Sequence, residues 1–222
     1  MTNGSAESWP IVCLKMSQLP LRSEEKISHV SLAEQSGPES SKLRVHVRVY
    51  ESFNLDSNEL SRAEREAEKI FRFAGIELTW SSGPTMAEVN DNTPTEIWDT
   101  AILQLRLWPS APAGKMPTDP ETMGFCLSLD NGDAVVLVDA VRKRAVFGTT
   151  SFTTLLGLAM AHELGHLLLR SAKHSVSGIM RARWTERGLR DDERGYFRFT
   201  PGEAESIRKE VSRRMDPNRH PG

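Results

Sequence analysis

The sequence predicts an α+β domain. Its expected architecture is a mixed, mostly parallel twisted sheet with one antiparallel edge strand, packed on a backing helix and on a second, apolar helix. A small C-terminal part ending in a helix completes it. Three observations carry this reading. Residues 43–50 alternate strictly between apolar and polar, which is the period of a strand. Residues 57–74 repeat apolar side chains at helical spacing, and a second strand-like run, Ile76 to Trp80, follows directly. Strand, crossover helix and strand imply a parallel pair with a right-handed connection.

In the first strand Leu43, Val45, Val47 and Val49 share the core face. His46 falls on the polar face, as a surface histidine rather than a ligand. The helix begins near Ser57, with Leu60, Ala63, Ala67, Ile70, Phe71 and Ala74 as its buried stripe and Gly75 at its C-terminal cap. Glu64, Arg65, Glu66, Glu68 and Lys69 form its solvated outer face. Residues 81–99, rich in Pro, Asn, Thr and Asp, read as a long surface loop. A third strand at 100–108 ends at Pro109, and the proline-rich stretch 109–122 reads as another irregular connection.

Gly124–Leu129 and Ala134–Asp139 flank Asp130-Asn131-Gly132-Asp133. Asn-Gly between apolar runs is the strongest short hairpin signal, and it makes one strand of the sheet antiparallel. Thr149, Thr150 or Ser151 can cap the next helix, Phe152 to Leu169, which is apolar nearly all round and therefore central and buried. Beyond it, Trp184 and several arginines with Asp191, Asp192 and Glu193 suggest an exposed loop. Thr200-Pro201-Gly202-Glu203 has the spacing of a capping box and opens a final helix through Ile207 and Val211.

The 222 residues fit one domain of ordinary size with a substantial core. A net charge of −2 and the lack of a basic face argue against a nucleic-acid partner. No run is expected to span a membrane. Residues 1–41 mix Ser, Glu, Pro and Gly with scattered apolar residues and are expected to be poorly ordered, leaving 42–222 as the folded domain. Trp9 to Met16 is too short for a secretory signal and is broken by Lys15, so the default expectation is a cytoplasmic monomer, with export open if the true start differs. Two cysteines, Cys13 and Cys126, leave both the compartment and their own pairing open.

The chemistry lies in the apolar helix, where residues 162–166 read His-Glu-Leu-Gly-His. Helix positions four apart sit about 40° apart around the axis and roughly 6 Å apart along it, so both imidazoles face one way and can grip one metal ion. Glu163 projects further round, within reach of a metal-bound water. Two imidazoles with an adjacent carboxylate make a zinc hydrolase site.

His162, Glu163, His166, the later His174 and the segment Ser177-Gly178-Ile179-Met180 together resemble the metzincin clan of zinc peptidases. The resemblance covers roughly residues 42–215 in order and spacing. It implies one catalytic Zn2+ held by His162, His166 and His174, with Glu163 as general base and Met180 as the hydrophobic floor of a methionine turn. It also implies an upper part, 42–169, with the sheet and active-site helix, and a lower part, 170–222, with the third ligand, the turn and the last helix. Gly124, Phe125, Cys126 and Leu127 would be the edge strand that pairs with an extended peptide or protein substrate, by ordinary strand addition.

The chain departs from the clan in three places. Leu169 stands at the usual glycine position, His174 lies eight residues past His166 rather than six, and Ala182 replaces a common tyrosine. Eight helical residues would carry His174 about 12 Å along the axis, so the chain must turn back, with Ser171 or Lys173 expected to bear the strain. Other readings stand beside this one. Glu186 or Glu203 could supply a distant acidic third ligand, the module could bind zinc without catalysis, or the same water chemistry could serve an esterase or amidase.

Overall fold

A computed structural model describes residues 9–10, 42–83, 101–111, 122–190 and 197–216. The expectations for Cys13, for most of 1–41 and of the two loops, and for Asp191 to Glu193 lie outside the described residues. In chain order the elements are β1 (Trp9–Pro10), β2 (Leu43–Glu51), α1 (Ser57–Phe73), β3 (Ile76–Ser82), β4 (Ala101–Trp108) and β5 (Gly124–Ser128). There follow β6 (Asp133–Leu137), α2 (Val138–Phe147), α3 (Phe152–Leu169), β7 (Arg183–Trp184), α4 (Glu186–Arg190) and α5 (Pro201–Arg214).

The main sheet has the order β3-β2-β4-β6-β5. Its first four strands run parallel, and β5 pairs antiparallel with β6 at one edge, as the hairpin signal implied. Gly132 supplies the turn's left-handed residue, at φ 67°. On β2, Val45, Val47 and Val49 are buried, while both ring nitrogens of His46 are taken up by the hydroxyls of Thr79 and Ser81 on β3. His46 is thus part of the sheet surface and not of a metal site.

The helices follow their local signals. Asp56 caps α1 with its side chain, Gly75 follows its end at φ 80°, Ser151 caps α3, and Thr200 with Glu203 forms the complete capping box of α5. In α3 every residue from Leu155 to Leu168 is buried. Leu155, Leu156, Leu158, Leu164, Leu167 and Leu168 each contribute roughly 1.5–3 kcal/mol on leaving water.

Three expectations change. The second hairpin strand ends at Leu137, and α2 follows at once. Its start has no side-chain cap, since Leu137 occupies that position, so the usual signal for a helix beginning is missing. Trp184 is buried rather than part of an exposed loop, and α4 follows it. Helix α3 is, by length and composition, apolar enough to cross a membrane, contrary to the expectation that no run is. Its composition is accounted for by burial inside the fold, with 78% of the helix enclosed by the sheet, α1 and the C-terminal segment.

Helices α1 and α3 cross where Gly157 lies, and a Cβ there would sit 2.5 Å from both Ala63 O and Glu66 Cβ. Backbone oxygen cannot move aside cheaply. Gly157→Ala is expected to destabilise the protein by about 1–3 kcal/mol, outweighing the ~1 kcal/mol that alanine gains in helix propensity. Gly202→Ala on α5, with nothing within 4 Å, is expected to be mildly stabilising. Urea denaturation of the two variants checks the opposite signs.

Candidate metal centre

His162 and His166 lie on successive turns of α3, fully buried, with ring centroids 4.5 Å apart. His162 Nδ1 is 2.8 Å from Ile179 O, and His166 Nδ1 is 2.6 Å from Ser171 O. Carbonyl oxygens only accept, so both Nδ1 atoms carry the hydrogen and donate it. Both Nε2 atoms are then lone-pair acceptors, and they face each other at 2.9 Å. Two lone pairs at that distance repel unless a cation lies between them or one ring is protonated.

Protonation is opposed by the surroundings. Burial holds the His162 pKa well below the usual imidazole range, and the neighbouring His166 lowers it further. Burial likewise pulls His166 down to about 4 and lowers His174. At neutral pH all three rings are therefore neutral, the form that ligates metal.

His174 completes the set. Its ring centroid lies 5.3 Å from that of His162 and 4.9 Å from that of His166. Its Nε2 is buried and has no hydrogen-bond partner among the described residues. One nitrogen from each of the three rings lies within 4.8 Å of the others, so the three histidines could hold a metal ion. A buried imidazole nitrogen without a partner and two opposed lone pairs are both what a cation would satisfy, and an all-imidazole set suits zinc.

The route of the chain to His174 differs from expectation. Arg170, not Ser171 or Lys173, takes the left-handed conformation, at φ 48° and ψ 38°. This non-glycine residue costs roughly 1–2 kcal/mol there. It is held by its own N–H on His166 O and by its guanidinium on Asp130 Oδ1 at 2.6 Å. Ser171 N also donates to His166 O, at 3.2 Å. His166 thus secures the reversal with its backbone oxygen and with its ring.

A second turn supports the site from below. Gly178 adopts φ 75°, and a Cβ there would run into Arg198 O. Ser175 N donates to Met180 O at 2.8 Å, and Ile179 N to Arg198 O at 3.0 Å. Ile179 O is thereby presented to His162 and also accepts from Trp184 Nε1 at 3.2 Å. Buried Met180 packs under α3, where a Cβ on Gly165 would lie 2.6 Å from Sδ.

Glu163 is fully buried beside His162, and its Oε2 accepts from Cys126 Sγ at 3.8 Å. Of the edge-strand residues, Gly124, Phe125 and Cys126 are buried and Leu127 is half-buried. The distant acids are engaged elsewhere. Glu186 pairs with Arg144 and accepts from Thr149, while Glu203 accepts from Thr200 N and Ser175 Oγ. Neither belongs to the three-histidine cluster. Sequence reasoning missed Trp184, whose ring meets that of His162 edge-on at 5.7 Å, and the carbonyls of Ser171 and Ile179. Backbone acceptors carry no side-chain signal by which they could have been found.

No family model matches the chain, and no curated protein does. Among solved structures, a zinc-dependent peptidase from Methanocorpusculum labreanum (strain Z) is similar to this chain with a TM-score of 0.47 and 12% sequence identity. The match covers 72% of this chain and 99% of that one.

Depressed imidazole pKa values set a pH dependence. Between the unfolded value of 6.5 and about 4 for His166, the unfolded chain binds protons that the folded chain does not. Folding stability from these rings is therefore present above about 6.5 and is lost as pH falls toward 4. The metal-free protein should melt at progressively lower temperature from pH 7 to pH 4. Replacing His166 by glutamine should flatten that slope, as calorimetry across the range would reveal.

Proposed function

We propose that the chain is a zinc-dependent metallopeptidase of metzincin-like type. The observation that carries this is the convergence of His162, His166 and His174 with Glu163 one residue from the first ligand. Zinc held by the three imidazoles would lower the pKa of a bound water and polarise a substrate carbonyl. Glu163 is the general base: its carboxylate takes a proton from the attacking water and later gives it to the leaving amine nitrogen. Its burial keeps that proton transfer in a dry, low-dielectric surround.

Other residues hold these groups in place. Ile179 O and Ser171 O fix the tautomer and ring orientation of His162 and His166, as outer partners of metal-bound histidines do. Met180 is the floor under the ligand helix. The edge strand β5, from Gly124 to Leu127, is the place for an extended peptide to add by backbone pairing.

Glu163→Gln is expected to retain one zinc per chain while hydrolysis of a denatured-protein or peptide-library substrate falls by about 10²–10⁴-fold. His174→Ala is expected to bind zinc more weakly, with one imidazole fewer to hold it. Metal analysis run with a cleavage assay decides: full activity in Glu163→Gln removes Glu163 from the mechanism. Zinc binding and thermal stabilisation in a wild-type protein that cleaves nothing would favour a non-catalytic module.

A further inference from the structure

We infer that the inward face of β5 is a clamp for the Glu163 carboxylate, with Gly124 and Cys126 as positioning residues for the general base. The inference rests on the peptidase reading of the site and deepens it. Gly124 and Cys126 are two apart on one strand, so they point to the same face. That face is toward α3. Phe125 points the other way, into a separate cluster with Val135 and Leu137.

Space, not backbone conformation, demands glycine at 124. Gly124 is absent from the glycines of positive φ, which are Gly75, Gly132 and Gly178 among the described residues. A Cβ at 124 would instead lie 2.6 Å from Glu163 Oε1 and 2.8 Å from both Cδ and Cγ. The carboxyl group of the base thus occupies the volume that a side chain at 124 would fill. Neither backbone can retreat, because α3 is enclosed along its length and β5 is pinned to β6 with Gly124 opposite Val136 and Cys126 opposite Ala134, so a Cβ at 124 would be accommodated by swinging the Glu163 side chain to another position.

Cys126 closes the other side. Its thiol is buried and donates to Glu163 Oε2 at 3.8 Å, just before the irregularity in register between Cys126 and Ser128. A small donor on one oxygen and a missing side chain against the other fix where the carboxylate sits relative to His162 and His166. Pre-set geometry of this kind removes rotamer freedom before substrate arrives. The strand read as the substrate's docking edge thus has a second task on its inward face, which is to aim the base.

The test uses the full chain with Cys13→Ser, which leaves Cys126 as the single thiol. Its infrared S–H stretching band is expected at the lowered frequency of a thiol donating to a carboxylate, and Glu163→Ala is expected to shift it to higher frequency. A band that Glu163→Ala leaves unmoved overturns the clamp. In the zinc-loaded protein, Cys126→Ala should lower kcat about two- to tenfold and Cys126→Ser should restore it. Gly124→Ala should lower kcat on the order of a hundredfold. In each case KM, zinc content and melting temperature should stay near wild type. If Glu163→Gln abolishes hydrolysis while the Gly124 and Cys126 variants keep wild-type kcat, the clamp falls and the peptidase reading stands. If the wild type hydrolyses nothing, the peptidase reading falls, and the infrared band alone then upholds or overturns the clamp.

Discussion

The structure turns on two hydrogen bonds, one from each imidazole of α3 and directed away from the other ring: His162 Nδ1 to Ile179 O and His166 Nδ1 to Ser171 O. They do two things at once. They decide the tautomer, turning both Nε2 lone pairs inward, and they tie the helix to the two segments that follow it. Ser171 begins the reversal toward His174, and Ile179 sits in the turn that brings Met180 under Gly165. Ligand orientation and chain path are therefore one constraint. Unfastening either bond would free a ring and loosen the return of the chain together.

That constraint is expensive, and the fold supplies the means to hold it. A left-handed arginine costs roughly 1–2 kcal/mol. Three neutral imidazoles with converging lone pairs, removed from water, add an electrostatic cost on top. Against this stand six buried leucines on α3 alone, at roughly 1.5–3 kcal/mol each. The apolar helix that looks long enough for a membrane is the rigid rod on which an unfavourable polar arrangement is kept, and its density around Gly157, Gly165 and the Gly124 contact leaves little room for relaxation.

Much of this was legible in the chain. Alternation in 43–50, the Asn131-Gly132 pair, the capping box at Thr200 and the His-Glu-Leu-Gly-His run each have a local cause, and each appears where its pattern put it. Helix α2 did not announce itself, because its first residue follows an apolar strand without a capping side chain. Trp184 reads as polar-loop company among arginines, yet its indole is buried against His162, a tertiary contact that neighbouring residues cannot encode. The turn was expected to strain Ser171 or Lys173. Arg170 carries the strain instead, since a helix ends on the residue whose N–H can still reach back to its own last turn, here His166 O. The approach of Gly124 to Glu163 was invisible for the same reason: it joins residues distant in the chain through an absence of atoms.

The central claim is that three imidazoles, one delivered by a chain reversal, share a single metal ion. X-ray absorption spectroscopy of the zinc-loaded protein tests it most directly, comparing wild type with His174→Ala. The account predicts a zinc first shell containing three imidazole ligands in the wild type and one fewer in the variant. An imidazole count that is the same in both proteins would contradict it.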